Sequence, residues 1–230
     1  MNIAVIPARG GSKRIPRKNI REFCGRPMIA WPIAAALETG LFDHVIVSTD
    51  EEKIAEAARN AGAETPFMRP ADLADDHTGT SDVVTHAIRW ALDAGWPVEA
   101  VCCIYATAAF ITAEDLRDAH KLLSTECDFV FPALRYGHPP QRGFVKAENG
   151  SPSLLQPEHR GTRTQDLPPV YHDAGQFYWG SCEAWLEARP VFGDRSRFIE
   201  LPATRAIDID RPEDWEMAEH LFAATRGSAK

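Results

Sequence analysis

Residues 2–21 read NIAVIPARGGSKRIPRKNIR. Positions 3–8 are a short apolar run suited to a buried strand, and the run empties into a loop with two adjacent glycines, Gly10 and Gly11. Between positions 9 and 21 stand six cations (Arg9, Lys13, Arg14, Arg17, Lys18 and Arg21) and no acid, in a chain whose formal charge is −8. Such a concentration of like charge is costly unless an anion sits among it. The glycines let the backbone turn so that several N–H groups face that anion. A solvated basic face is the bland alternative. Placement at the carboxyl end of a first strand, where open α/β sheets bind ligands, favours a phosphate site instead. Neither GxxxxGK[ST] nor GxGxxG occurs, which removes the main signatures of P-loop ATPases and simple dinucleotide dehydrogenases.

With 230 residues and 44% hydrophobic content, the chain can bury one substantial core. The N-terminal apolar run is too short for a signal core, and no stretch approaches membrane-spanning length, so a cytoplasmic location without membrane attachment is expected. Five cysteines (Cys24, Cys102, Cys103, Cys127, Cys182) without CxxC spacing are the usage of a reducing compartment and argue against zinc. The acidic balance, with cations gathered in one loop, argues against nucleic-acid binding.

Further along, a helix is expected over 27–38, its first turn made irregular by Pro32. Positions 44–49 read as a second buried strand, and Asp50, Glu51 and Glu52 open a helix to about 60, closed by Gly62. A short third strand at 66–68 would complete βαβαβ. The segment 68–81 is dense in turn and capping residues and too long to be mere punctuation. A helix over 82–94, a strand over 100–105, a helix capped by Thr112 and Asp115 and ending near 123, and a strand over 129–134 continue the alternation. From 135 to 170 proline and glycine replace periodicity, as in an excursion that becomes a partner-binding arm. The chain returns with a strand-like aromatic run at 171–180, a short helix to 188, strands at 198–201 and 206–209, and a last helix from about 211 into the 220s. The pattern is α/β, a single domain over 1–230 with 135–170 inserted in it.

A second chemical site lies in AIDIDRPEDW, positions 206–215. Strand alternation puts Asp208 and Asp210 on one face, where two carboxylates repel unless one is protonated or a cation is shared. Oxygen ligands suit magnesium, which takes one or two carboxylates plus phosphate oxygens. Asp210, followed by Pro212 and Glu213, also reads as a helix N-cap, and neither role excludes the other. Cations at one strand end and an acidic pair near the last strand together describe a site for a nucleoside triphosphate with Mg2+.

IPARGGSKRIPRKN, with VIVSTD, MRPADLA and IDIDRPED following in order, resembles the CMP-sugar-acid synthetases, the sialic acid cytidylyltransferase family, over nearly the whole chain. CIYATAAF and YHDAGQFYWG are most similar to its pseudaminic acid cytidylyltransferases. The resemblance implies a mostly parallel, doubly wound nucleotide-binding sheet of the nucleotide-diphospho-sugar transferase type, with the 135–170 excursion as a dimerisation arm. It implies attack by the anomeric hydroxyl of a nine-carbon keto sugar acid on the α-phosphate of CTP, releasing pyrophosphate, in the service of a surface glycan or glycosylated flagellin. Carried over, Arg9, Lys13 and Lys18 match the triphosphate-binding cations, and Ala8 and Asn19 the residues touching the nucleotide. Arg69, Thr78 and Thr80 fall where cytidine is lined, and Asp208 and Asp210 match the magnesium aspartates. Asp208 is the one expected to act near the nucleophile.

On the sugar side, implied contacts are Tyr105, His172, Asp173, Gln176 and Tyr178. Here the chain departs from the sialic acid enzymes: IYATAA stands for LQPTSP, so Tyr105 replaces a sugar-contacting glutamine, and HDAG stands for RPNG. These changes disfavour N-acetylneuraminic acid and suit pseudaminic acid, with its 9-deoxy carbon and two acylamino groups. His172 and Asp173 also read as a structural pair, and only one face of the strand through Phe177, Tyr178 and Trp179 can see a substrate. Rival readings are a synthetase for legionaminic, N-acetylneuraminic or 3-deoxy-manno-octulosonic acid, and a non-catalytic CTP-binding module.

Overall fold

The computed structural model describes residues 1–75 and 78–227; Asp76 and His77, within the expected 68–81 loop, lie outside them. In chain order the strands are β1 (Asn2–Pro7), β2 (Glu22–Phe23), β3 (Arg26–Pro27), β4 (His44–Ser48), β5 (Ala100–Ile104), β6 (Phe129–Arg135), β7 (Phe144–Lys146), β8 (Pro152–Leu154), β9 (Tyr171–Asp173), β10 (Phe177–Ser181) and β11 (Ser196–Glu200). The helices are α1 (Ala30–Thr39), α2 (Glu52–Asn60), α3 (Thr80–Asp93), α4 (Ala113–His120), α5 (Cys182–Leu186) and α6 (Pro212–Gly227).

One mixed sheet carries the order β11-β6-β10-β5-β1-β4, with β9 also paired to β6. Strands β4, β1, β5, β6 and β11 run the same way, and β9 and β10 run against them. The alternation along β1 divides the core. Ala4 and Ile6 face one way, toward Ile33 of α1, Ile54 of α2 and Leu116 of α4. Ile3 and Val5 face the other, toward Val84 and Ile88 of α3 and Trp185 of α5. Both faces are therefore covered by helices, as a buried, largely parallel sheet requires.

Local signals explain most elements. The Thr112 hydroxyl accepts the Asp115 N–H at 3.2 Å and the Asp115 carboxylate accepts the Thr112 N–H at 3.0 Å, a capping box that starts α4. Pro32 sits in the first turn of α1, where a missing N–H costs no helical bond.

Three expected strands form differently. No strand forms at 66–68; beyond β4 the sheet ends in a single parallel bridge between Ile46 and Glu64, because Pro66 has no N–H to carry the ladder on. The run 171–180 divides into β9 and β10 at Gly175, whose φ of 61° ends one strand and starts the next. Positions 206–210 form no strand, since the turn Ala203–Arg205 carries the chain off the sheet edge after β11. The excursion 135–170 holds the β7–β8 hairpin, with Phe144, Val145 and Leu155 exposed. All five cysteines are free, four of them buried. Among the described residues no helix is long and apolar enough to cross a membrane.

Candidate active site

The site grows from the end of β1. The Ala8 N–H donates to the Ser48 carbonyl at 3.0 Å, and the Gly10 N–H to the Asp50 carboxylate at 2.9 Å, so the loop leaves against the end of β4. A Cβ at Gly10 would meet the Glu51 side chain, whose carboxylate end would have to shift. The loop reverses at Arg17, a non-glycine residue with φ of 53°, and Ile15 is buried with Phe23, Trp215 and Phe222. That apolar anchor pins the cationic loop to α6. Asn19, only 7% exposed, closes the loop: its amide donates to the Arg9 carbonyl at 3.0 Å and its own carbonyl accepts the Ile29 N–H at 2.9 Å. Asn19 thus holds the loop's two ends together.

These constraints leave a cleft of about 620 Å³ walled by Arg9, Lys13, Arg14, Lys18 and Asn19 on one side and by Thr80, Tyr105 and Thr107 on the other. Asp210 also lines the cleft, whereas Asp208 is not among its lining residues. The Asp210 carboxylate takes Arg14 at 2.7 Å and Lys18 at 3.4 Å, and Lys18 also donates to the Ile209 carbonyl at 2.7 Å. Partial desolvation, then the neighbouring Asp210 charge, push the Asp208 carboxyl above the usual range, while Lys18 pulls it back. Two carboxylates that crowd each other in this way form a donor set suited to a hard cation. Among the described residues no cluster of three or more His, Cys, Asp or Glu is placed to hold a metal. A pair fits an ion that completes its shell with water and phosphate oxygens, as Mg2+ does.

The expected cap at Asp210 is made by another residue. Asp214 Oδ2 accepts the N–H groups of Asp210 and Arg211 at 3.0 and 2.7 Å, so the first turn of α6 caps itself and the Asp210 carboxylate is left to the cations.

Of the three residues expected along cytidine, only Thr80 reaches the cleft wall. The Thr78 hydroxyl donates to the Asp75 carboxylate at 2.7 Å and serves a local turn. Arg69 is buried behind the end of β4, bonded to both the hydroxyl and the carbonyl of Ser48, and desolvation brings its pKa down to about 10 against the opposing charge of Asp50. It remains a cation at neutral pH, its charge attracted by that of Asp50, whose carboxylate accepts the Gly10 N–H.

The sugar-side residues separate likewise. Tyr105 faces the cleft, and its N–H donates to the Gln176 carbonyl at 2.8 Å. Behind it, the Tyr178 hydroxyl donates to Asp173. Gln176 is 2% exposed and spends its amide on the Arg205 carbonyl at 2.7 Å. His172 turns outward, its ring 4.7 Å from that of Tyr136 and Nδ1 2.9 Å from the Asp173 backbone carbonyl, so His172 and Asp173 share no side-chain bond. Arg14 and Thr107 are cleft residues that the motif reading did not single out; the only available signal for Arg14 was its membership of the cation run.

A model of the family described as Cytidylyltransferase matches residues 3–224. The chain belongs to the cytidylyltransferase family. It is 41% identical over 229 residues to the pseudaminic acid cytidylyltransferase of Campylobacter jejuni serotype O:2, covering 99% of both chains. It is 32% identical over 235 residues to the CMP-N,N'-diacetyllegionaminic acid synthase of Legionella pneumophila, covering 96% and 95%. Among solved structures, CMP:2-keto-3-deoxy-manno-octonic acid synthetase complexed with CTP superposes with a TM-score of 0.71 at 17% identity, covering 97% of this chain and 99% of that one. At that identity the likeness concerns the fold. As a cytidylyltransferase, the chain places its cationic loop at the carboxyl end of β1, the position at which sheets of this class bind nucleotides.

Proposed function

We propose that this protein joins CTP to pseudaminic acid, giving the CMP-sugar and pyrophosphate with the aid of Mg2+. The observation that carries the reading is the cleft itself, lined by four loop cations and by Asp210, with Asp208 two residues along the chain. Arg9, Lys13 and Lys18 hold the triphosphate and stabilise charge on the departing pyrophosphate. Ala8 and Asn19 set the loop against the nucleotide, Thr80 lies along its cytidine, and the buried Arg69 and the Thr78 turn support that wall. Asp208 and Asp210 are the residues that would hold Mg2+, which supplies Lewis acidity toward the α-phosphate. The anomeric hydroxyl attacks the α-phosphorus as the bond to the β-phosphate oxygen breaks; Asp208 acts on the nucleophile side.

Pseudaminic acid is favoured by full-length identity to a pseudaminic acid enzyme, 41% against 32% for the legionaminic one. Tyr105 at the cleft wall adds to this, because a phenol in place of the glutamine amide cannot make the same hydrogen bonds and so discriminates against a sugar that needs them. The exposed apolar hairpin of the 135–170 arm is assigned to a homodimer contact.

Pyrophosphate release is the test, with CTP and magnesium and equal concentrations of pseudaminic, legionaminic and N-acetylneuraminic acids. Strong preference for the first supports the assignment. Preference for another acid keeps the nucleotide half and overturns the sugar half, and no release with any acid despite tight CTP binding points to a non-catalytic module.

A further inference from the structure

Of the loop cations that line the cleft, Arg14 has no part in the triphosphate contacts proposed above. Its guanidinium donates to Asp210 Oδ2 at 2.7 Å, and Lys18 Nζ lies 3.4 Å from Oδ1, so each oxygen of that carboxylate faces a cation. Packing fixes the backbone on both sides of the contact. Ile15, next to Arg14, and Ile209, next to Asp210, are 2% and 1% exposed and share one apolar cluster with Trp215. Lys18 also donates to the Ile209 carbonyl at 2.7 Å, and Asp214 Oδ2 accepts the Asp210 N–H at 3.0 Å. Forming the pair therefore orders little besides the Arg14 side chain itself. That side chain is 66% exposed, so it can swing away without unpacking the core. A guanidinium fork matches phosphate oxygens as well as carboxylate ones, and a triphosphate in the cleft offers it more negative charge than Asp210 does. A carboxylate with both oxygens turned to cations, in contrast, repels a divalent ion from its neighbourhood.

We infer that Arg14 couples nucleotide binding to metal binding: bonded to Asp210 it withholds that carboxylate from a divalent cation, and drawn to an incoming triphosphate it releases it. The inference rests on the reading of the cleft as a CTP site and of Asp210 as a magnesium carboxylate. It gives the chain a binding order. Nucleotide-free protein holds a divalent cation weakly, and the nucleotide uncovers the carboxylate. Linkage makes the effect reciprocal, so the bond to Asp210 also weakens the hold on CTP when no metal is present.

Two binding measurements without turnover test this. The first follows Mn2+ binding to nucleotide-free protein by the EPR signal of the free ion. Arg14→Ala should bind Mn2+ about twofold to fivefold more tightly than the wild type, and the gain should vanish in Arg14→Ala/Asp210→Asn. Arg17→Asn is the control. Arg17 belongs to the same loop, is not bonded to Asp210, and has a φ of 53° that asparagine tolerates, so the variant loses the same charge without losing the bond. Equal tightening in Arg17→Asn and Arg14→Ala, or none in Arg14→Ala, overturns the coupling. The second measures CTP affinity by calorimetry in the presence of a chelator. Asp210→Asn should tighten metal-free CTP severalfold in the wild-type background, by setting Arg14 free, and by less in the Arg14→Ala background. Tightening of equal size in both backgrounds means that CTP does not draw Arg14 away, and overturns the inference. A wild type that binds no CTP with or without magnesium overturns instead the reading of the cleft as a CTP site, so the two failures are distinguishable.

Discussion

The Arg14 guanidinium donates to the Asp210 carboxylate at 2.7 Å, joining residues 196 positions apart. The bond ties the loop that leaves the first strand to the segment that enters the last helix. Lys18 makes the same crossing at 3.4 Å and adds the Ile209 carbonyl. Cations and acid thus neutralise one another across the cleft, and under the proposed function a triphosphate would draw the loop cations off Asp210.

Arg14→Ala separates stability from function. The Arg14 side chain is 66% exposed, and an exposed ion pair is worth little, so urea unfolding should shift by less than about 1 kcal/mol. The KM for CTP should rise severalfold, because the same cation faces the cleft. A loss of stability with an unaltered KM would show that Arg14 is only a strut.

Asp208→Asn should lower turnover by about 10³-fold, equivalent to several kcal/mol of transition-state stabilisation, while leaving CTP binding largely in place. Calorimetry with CTP beside a pyrophosphate-release assay separates the two effects. Chelation of divalent ions should abolish wild-type release and added magnesium restore it; near-normal turnover by the variant would refute the metal role.

Asp115 serves two structures at once. It completes the capping box of α4, and both its oxygens receive Arg205, at 2.6 and 3.0 Å. Asp115→Ala leaves a half-buried guanidinium without its carboxylate and removes the reciprocal half of the capping box while the Thr112 cap remains, so urea unfolding should show a loss of about 2–3 kcal/mol. A change below about 0.5 kcal/mol would mean that Arg205 finds another partner.

Phe144→Asp, in the exposed face of the β7–β8 hairpin, should convert a dimer to a monomer in sedimentation equilibrium with the fold intact. A wild-type monomer, or a variant that still dimerises, would remove the arm from the interface.

Much of the architecture was legible because it is written in local signals. The apolar run of β1, the capping box of α4 and the periodicity of α3 each depend on residues within a few positions of one another. Two of the differences were local, at Pro66 and at Gly175, and the third depended on a distant partner. A strand at 206–209 needs a neighbouring edge, and the turn after β11 takes the chain away from it. The expected two-face alternation there is incomplete: Ala206 and Ile209 are buried and Asp208 is exposed, but Ile207 and Asp210 are both partly buried.

The sequence by itself determined that a dense cationic loop follows the first strand, that two aspartates precede the last helix, and that strands and helices alternate between them. Charge density and periodicity are properties of neighbouring residues, so they survive without a fold. Only the tertiary structure decided that these two segments meet across one cleft, that Tyr105 faces it while Asp173, Gln176 and Tyr178 stand behind and His172 turns away, and that Asp214 rather than Asp210 caps α6. The physical reason is that a side chain's direction in space is set by what pairs with and packs against its strand or loop, and those partners lie far away along the chain.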